Sequence, residues 1–78
     1  MPHYFFDIDD GDRRTRDNEG LDLDGPAAAR TEATRALPDI ARDVMPDGDR
    51  RSIVVTVRNE ASKAIFRAEL SLVAQWLG

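Results

Sequence analysis

The sequence predicts an α+β fold: a four-stranded, largely antiparallel sheet in the order β-β-α-β-β, with one helix packed on one face. Three observations carry this. Apolar and polar residues alternate with period two over residues 4–9, 52–58 and 63–72, as in half-buried strands. Apolar residues between 29 and 44 recur at three- and four-residue spacings, as on one face of a helix. Turn sequences containing Asp-Gly or Pro separate these segments.

The first strand sets Tyr4, Phe6 and Ile8 against Phe5, Asp7 and Asp9, so its inner face is aromatic and aliphatic. Asp10-Gly11 supplies the positive backbone dihedrals of a tight hairpin, and a second strand over residues 13–17 returns antiparallel. Arg13, Arg14, Thr15 and Arg16 have little to bury, which places that strand at an edge, where charge discourages stray pairing. Residues 18–25 hold two glycines and three acids and read as a loop whose Leu21 and Leu23 tuck under the helix.

The helix starts where Asp24 or Gly25 caps, Pro26 occupies the first helical position and Ala27, Ala28 and Ala29 propagate. Ala29, Ala33, Ala36, Leu37, Ile40, Ala41 and Val44 form its apolar stripe. Pro38 lacks the N–H that would reach the Thr34 carbonyl, at a cost of about 3 kcal/mol in a regular helix, so a kink or break is expected there. Met45-Pro46-Asp47-Gly48-Asp49 ends the helix with a turn. Ile53, Val55 and Val57 then mark a central strand, and after a short connection at 59–62 Phe66, Ala68, Leu70 and Leu72 mark its hairpin partner. Residues 73–78 fit either a continued strand or one helical turn.

A chain of 78 residues makes one domain with a thin core. With no cysteine for a disulfide and one histidine to anchor a metal, oligomerisation is the natural reinforcement. The chain carries a net charge of −4 at a pI near 4.8, and eight of its acids against three arginines lie between Asp7 and Asp24. An acidic protein is repelled by phosphate backbones, so nucleic acid is disfavoured as a partner. No apolar run approaches the ~20 residues of a membrane span, and the N-terminus lacks the pattern of a secretory signal. A cytoplasmic location is expected. Ten Arg to one Lys, eleven Asp to four Glu and many Ala match the coding bias of a GC-rich bacterial genome.

Asp7, Asp9, Asp10 and Asp12 around Gly11 resemble the start of a calcium loop, but the sixth and twelfth positions counted from Asp7 hold Asp12 and Asn18 instead of glycine and glutamate. A solvated hairpin turn is the preferred reading, with weak cation binding as the alternative. His3 has no cysteine or serine partner at a recognisable spacing and reads as an exposed histidine. Arg13, Arg14 and Arg16, like Arg50 and Arg51, lie beside acids and read as local charge neutralisation. No glycine-rich phosphate loop, nucleophile elbow or zinc-ligand set occurs. No enzymatic activity, cofactor or metal is therefore expected.

Phe5, Val54 and Ile65 have the parity opposite to the core and would be bare in a single-layer monomer. Either Trp76 and Leu77 fold back over that face or a second copy covers it. These five residues are the candidate interface, and a homodimer or a protein partner is the expected assembly.

The opening Met1-Pro2-His3-Tyr4-Phe5-Phe6-Asp7-Ile8, the hairpin Gly11, the run Asp17-Asn18-Glu19-Gly20-Leu21 and the Ala-rich start from Ala27 to Ala36 together resemble a family of short bacterial proteins known only as a domain of unknown function. The resemblance covers nearly the whole chain and implies a stand-alone bacterial domain without assigning an activity. In element order alone the chain is also similar to antitoxins of the HicB type, which implies a regulator that binds a toxin or nucleic acid. The first expectation remains a non-catalytic interaction or self-associating module, with the antitoxin-like regulator and the acidic-hairpin cation binder as alternatives.

Overall fold

The computed structural model describes residues 1–44 and 50–78. The turn expected at 45–49, and the acids there that would neutralise Arg50 and Arg51, lie outside the described residues. Strands β1 (His3–Asp9), β2 (Arg14–Thr15) and β3 (Leu21–Asp22) precede helix α1 (Pro26–Val44), and β4 (Arg50–Arg58) and β5 (Ala64–Val73) follow it. Every strand pairing is antiparallel, in the sheet order β2-β1-β4-β5. The α+β class and the single helix on an antiparallel sheet are as the periodicities require.

The sheet has five strands rather than four. Residues 21–22, read as loop, pair with β1 through His3↔Asp22 and Tyr4↔Leu21. The second strand is only two residues long, registered Ile8↔Thr15 and Asp9↔Arg14. Both short strands lie along the same edge of β1, and the chain between them leaves the ladder. Leu23 packs against the core as expected, while Leu21 is exposed instead of lying under the helix.

Helix α1 opens where the carbonyl of Gly25 accepts the Ala29 amide at 3.1 Å, immediately before Pro26, so the glycine takes the cap position rather than Asp24. The helix then runs unbroken through Pro38 to Val44. Pro38 is exposed, so its ring faces away from the sheet, and packing of the stripe on both sides of it holds the helix together. Ala29, Ala33 and Leu37 are buried on that stripe, with Ile40, Ala41 and Val44 partly so.

The core is a single layer between helix and sheet. Tyr4, Ala29, Ala33, Leu37, Ile53, Val55 and Val57 form it, and Ile53, Val55 and Val57 are its largest fully buried side chains. Each such side chain contributes about 1.5–3 kcal/mol by leaving water. The register Phe6↔Val57 and Ile8↔Val55 aligns the inner faces of β1 and β4, and Val57↔Phe66, Val55↔Ala68 and Ile53↔Leu70 continue the alignment into β5. A bulge interrupts the last pairing between Val57 and Arg58. No helix among the described residues is long and apolar enough to cross a membrane.

Candidate functional site

The sheet face away from the helix carries Phe5, Asp7, Thr56 and Arg58 side by side, because β1 and β4 pair as Phe5↔Arg58 and Asp7↔Thr56. Arg58 is 7% exposed despite its charge. Its Nε donates to Asp7 Oδ2 at 2.7 Å and its Nη2 to Asp7 Oδ1 at 3.1 Å, a two-point carboxylate contact. Nη2 also donates to the Asp17 carbonyl at 2.8 Å and Nη1 to Ser62 Oγ at 3.3 Å. The guanidinium lies over the Phe5 ring, 4.8 Å from its centroid, and the edge of His3 meets the same ring at a centroid distance of 5.1 Å.

Asp17 is the second member of this cluster and fills a gap in the ladder. Where β1 has no strand opposite it, the Phe6 amide donates to Asp17 Oδ2 at 3.0 Å. Asp17 Oδ1 accepts the amides of Glu19 and Gly20, each at 3.0 Å, and the Asp17 amide donates to Asp7 Oδ1 at 3.0 Å. A carboxylate thus substitutes for missing strand backbone, and the chain between β2 and β3 closes around it. Gly20 completes the loop at φ +71°, and a Cβ there would run into the His3 ring and come within 2.7 Å of the Tyr4 carbonyl.

His3 is half-buried and doubly partnered, not the free exposed histidine expected. Nδ1 is 2.5 Å from Asp22 Oδ1 and Nε2 is 2.7 Å from the Glu19 carbonyl. A carbonyl only accepts, so Nε2 carries a proton; with a carboxylate at Nδ1 the imidazolium fits both contacts. The Asp22 hydrogen bond, then that of Glu19, raises the His3 pKa above 6.5. The ring therefore clamps β3 and the Asp17 loop to the start of β1. The Arg58 hydrogen bond lowers the Asp7 pKa against the opposing effect of burial. Burial of Asp17 would raise its pKa, but the amides of Gly20, Phe6 and Glu19 together outweigh it and the net direction is down. The Asp7 contact in turn raises the Arg58 pKa.

The acidic hairpin is committed internally. Asp9 Oδ1 accepts the Gly11 amide at 2.9 Å, Asp10 Oδ1 accepts those of Asp12 and Arg13, and Asp12 Oδ2 accepts from Arg51 Nη1 at 2.9 Å. Gly11 has the positive φ, +97°, that the tight turn requires. Among the described residues no group of three or more His, Cys, Asp or Glu side chains is placed to hold a metal ion.

Of the five interface candidates, Phe5 and Val54 are half-buried and Ile65 is 39% exposed at the bulge. Trp76 and Leu77 are 95% and 89% exposed, so they do not fold back over the other three. The cover over Phe5 is Arg58 of the same chain, and Val54 sits between Asp9 and Glu69 in the sheet. The reverse face is therefore an ionic clasp flanked by polar residues rather than a continuous apolar patch. Composition alone missed Arg58, whose partners Asp7 and Asp17 are 51 and 41 residues away in the chain. The one sequence signal for it was an arginine ending a strand of buried valines, on the same parity as Phe5 and Asp7.

Exposed apolar surface instead collects at the end of the chain. Of seven large exposed hydrophobic residues among those described, Ile65, Leu70, Val73, Trp76 and Leu77 belong to β5 or the residues after it. β5 is also the outer strand on its side of the sheet, ten residues long.

Residues 3–71 match the family profile described as Domain of unknown function (DUF6894). Comparison with curated proteins and with solved structures gave no match in either case.

Proposed function

The chain belongs to the DUF6894 domain family, and from that premise we propose that it works as a non-catalytic protein-interaction module that self-associates. The observation that carries this reading is the placement, among the described residues, of five of the seven large exposed hydrophobic side chains on β5 and the segment after it. Exposed apolar side chains on both faces of one outer strand, and after it, offer a second chain surface to cover. The rest of the polar surface supports the same view, since the carboxylates of the first hairpin and the ring of His3 are held by bonds that fasten the fold. Static light scattering between about 1 μM and 1 mM tests the proposal. The expected result is an average mass that rises above the 8.7 kDa of one chain; a constant single-chain mass over that range overturns it.

A further inference from the structure

The two edges of the sheet are defended differently. The outer edge of β1 is covered by β2 and β3, each two residues long, and β2 contains Arg14 and is flanked by Arg13 and Arg16. Short strands and charge are the usual devices that stop an edge from pairing with another chain. β5 is far less protected: it runs ten residues as the outermost strand, with only Arg67 and Glu69 charged and a bulge at Ile65 near its start.

Those two charges select a partner and a register. A second copy that extends the sheet about a two-fold axis keeps each face continuous, so residues of the same parity pair and the axis passes through one residue. Centring on Arg67 or on Glu69 sets like charges opposite each other. Centring on Ala68 sets Arg67 of each copy opposite Glu69 of the other. It also pairs Phe66 with Leu70 on the helix side, and the bulge at Ile65 ends the regular ladder just beyond that pair. Phe66 is already half-buried, with Arg30 5.9 Å above its ring, while Leu70 is 37% exposed and gains an aromatic cover from the second copy. Within one chain, Arg67 and Glu69 approach only to 4.0 Å and both side chains are largely in solvent.

We infer that two copies of this chain pair antiparallel along β5, about a two-fold axis at Ala68, to form one continuous sheet with both helices on the same face. The inference rests on the self-association proposed above and specifies its surface and register. Arg67→Glu or Glu69→Arg alone places like charges opposite in both cross-strand pairs and is expected to weaken dimerisation at least about tenfold at low salt. The double variant carrying both changes restores opposite charges and the wild-type affinity. The chain has no cysteine, so Ala68→Cys provides a direct register probe: its thiol meets that of the second copy on the axis, and mild oxidation is expected to yield a disulfide-linked dimer. Ser71→Cys is the control, because in this register the two thiols are roughly 20 Å apart along the strands.

The inference is overturned by association that the charge inversions leave unchanged, by a double variant no tighter than the single ones, or by Ser71→Cys crosslinking in preference to Ala68→Cys. In each of these cases self-association itself survives and takes another surface. A chain that stays monomeric to 1 mM, including one whose β5 amides pair only with an unrelated peptide strand, overturns both.

Discussion

At Asp17 one carboxylate accepts from the amides of Phe6, Glu19 and Gly20, and truncating it strands the half-buried Phe6 amide without an acceptor. Asp17→Ala is expected to cost about 2–3 kcal/mol, read as a shift of the urea midpoint at unchanged slope. Gly20→Ala attacks the same loop through the backbone, since it combines an unfavourable positive φ with contact against His3 and the Tyr4 carbonyl; a loss of at least about 1–2 kcal/mol is expected. His3 adds a pH dependence with a definite sign. Its folded pKa lies above the unfolded 6.5, so its stabilisation is complete below pH 6.5 and fades as pH rises through the folded value. The difference in thermal midpoint between wild type and His3→Gln should therefore shrink between pH 6 and pH 9. Asp7 and Asp17 behave oppositely: their folded pKa values lie below 3.8, and their contribution is present above 3.8 and lost as pH falls through the folded values. The Asp17–Gly20 contact lies within the run 17–21 that the sequence singles out, whereas the bonds from Arg58, closing loops of 41 and 51 residues, leave no motif.

Among the elements, α1 shows where tertiary packing outweighs local preference. Pro38 removes one backbone hydrogen bond, yet the helix continues because Ala33 and Leu37 before it and Ile40 after it are held on the sheet. Pro38→Ala restores the bond to the Thr34 carbonyl and touches no buried residue, so it is expected to raise stability by up to about 3 kcal/mol, measured by thermal unfolding. The strands with clean alternation, β1, β4 and β5, lie within two residues of where the pattern puts them. The two-residue strands could not be read in that way. β3 exists because Asp17 bridges the gap before it and His3 clamps it afterwards, and neither influence acts through local propensity.

For the whole molecule, the long axis of 53 Å against 21 and 18 Å is unusual for a chain this short. β5 alone supplies much of that length, since ten extended residues reach ~33 Å. Trp76 and Leu77 touch almost nothing within the chain. Truncation after Ala74 should therefore leave the thermal midpoint of the dilute monomer unchanged to within about 0.5 kcal/mol of stability, which calorimetry at low concentration would check.

Periodicity and turn chemistry were sufficient by themselves to determine the α+β class, the helix and its buried stripe, and the three long strands. These features depend on side chains a few residues apart, and that spacing is written directly in the chain. Only the folded structure decided that Arg58 rather than the C-terminal tail shields Phe5, that Asp17 completes the edge of β1, and that β5 is left as the open edge. Each of those outcomes depends on groups brought together across dozens of residues by the register of the sheet, and on charges whose burial is tolerated only where several partners converge.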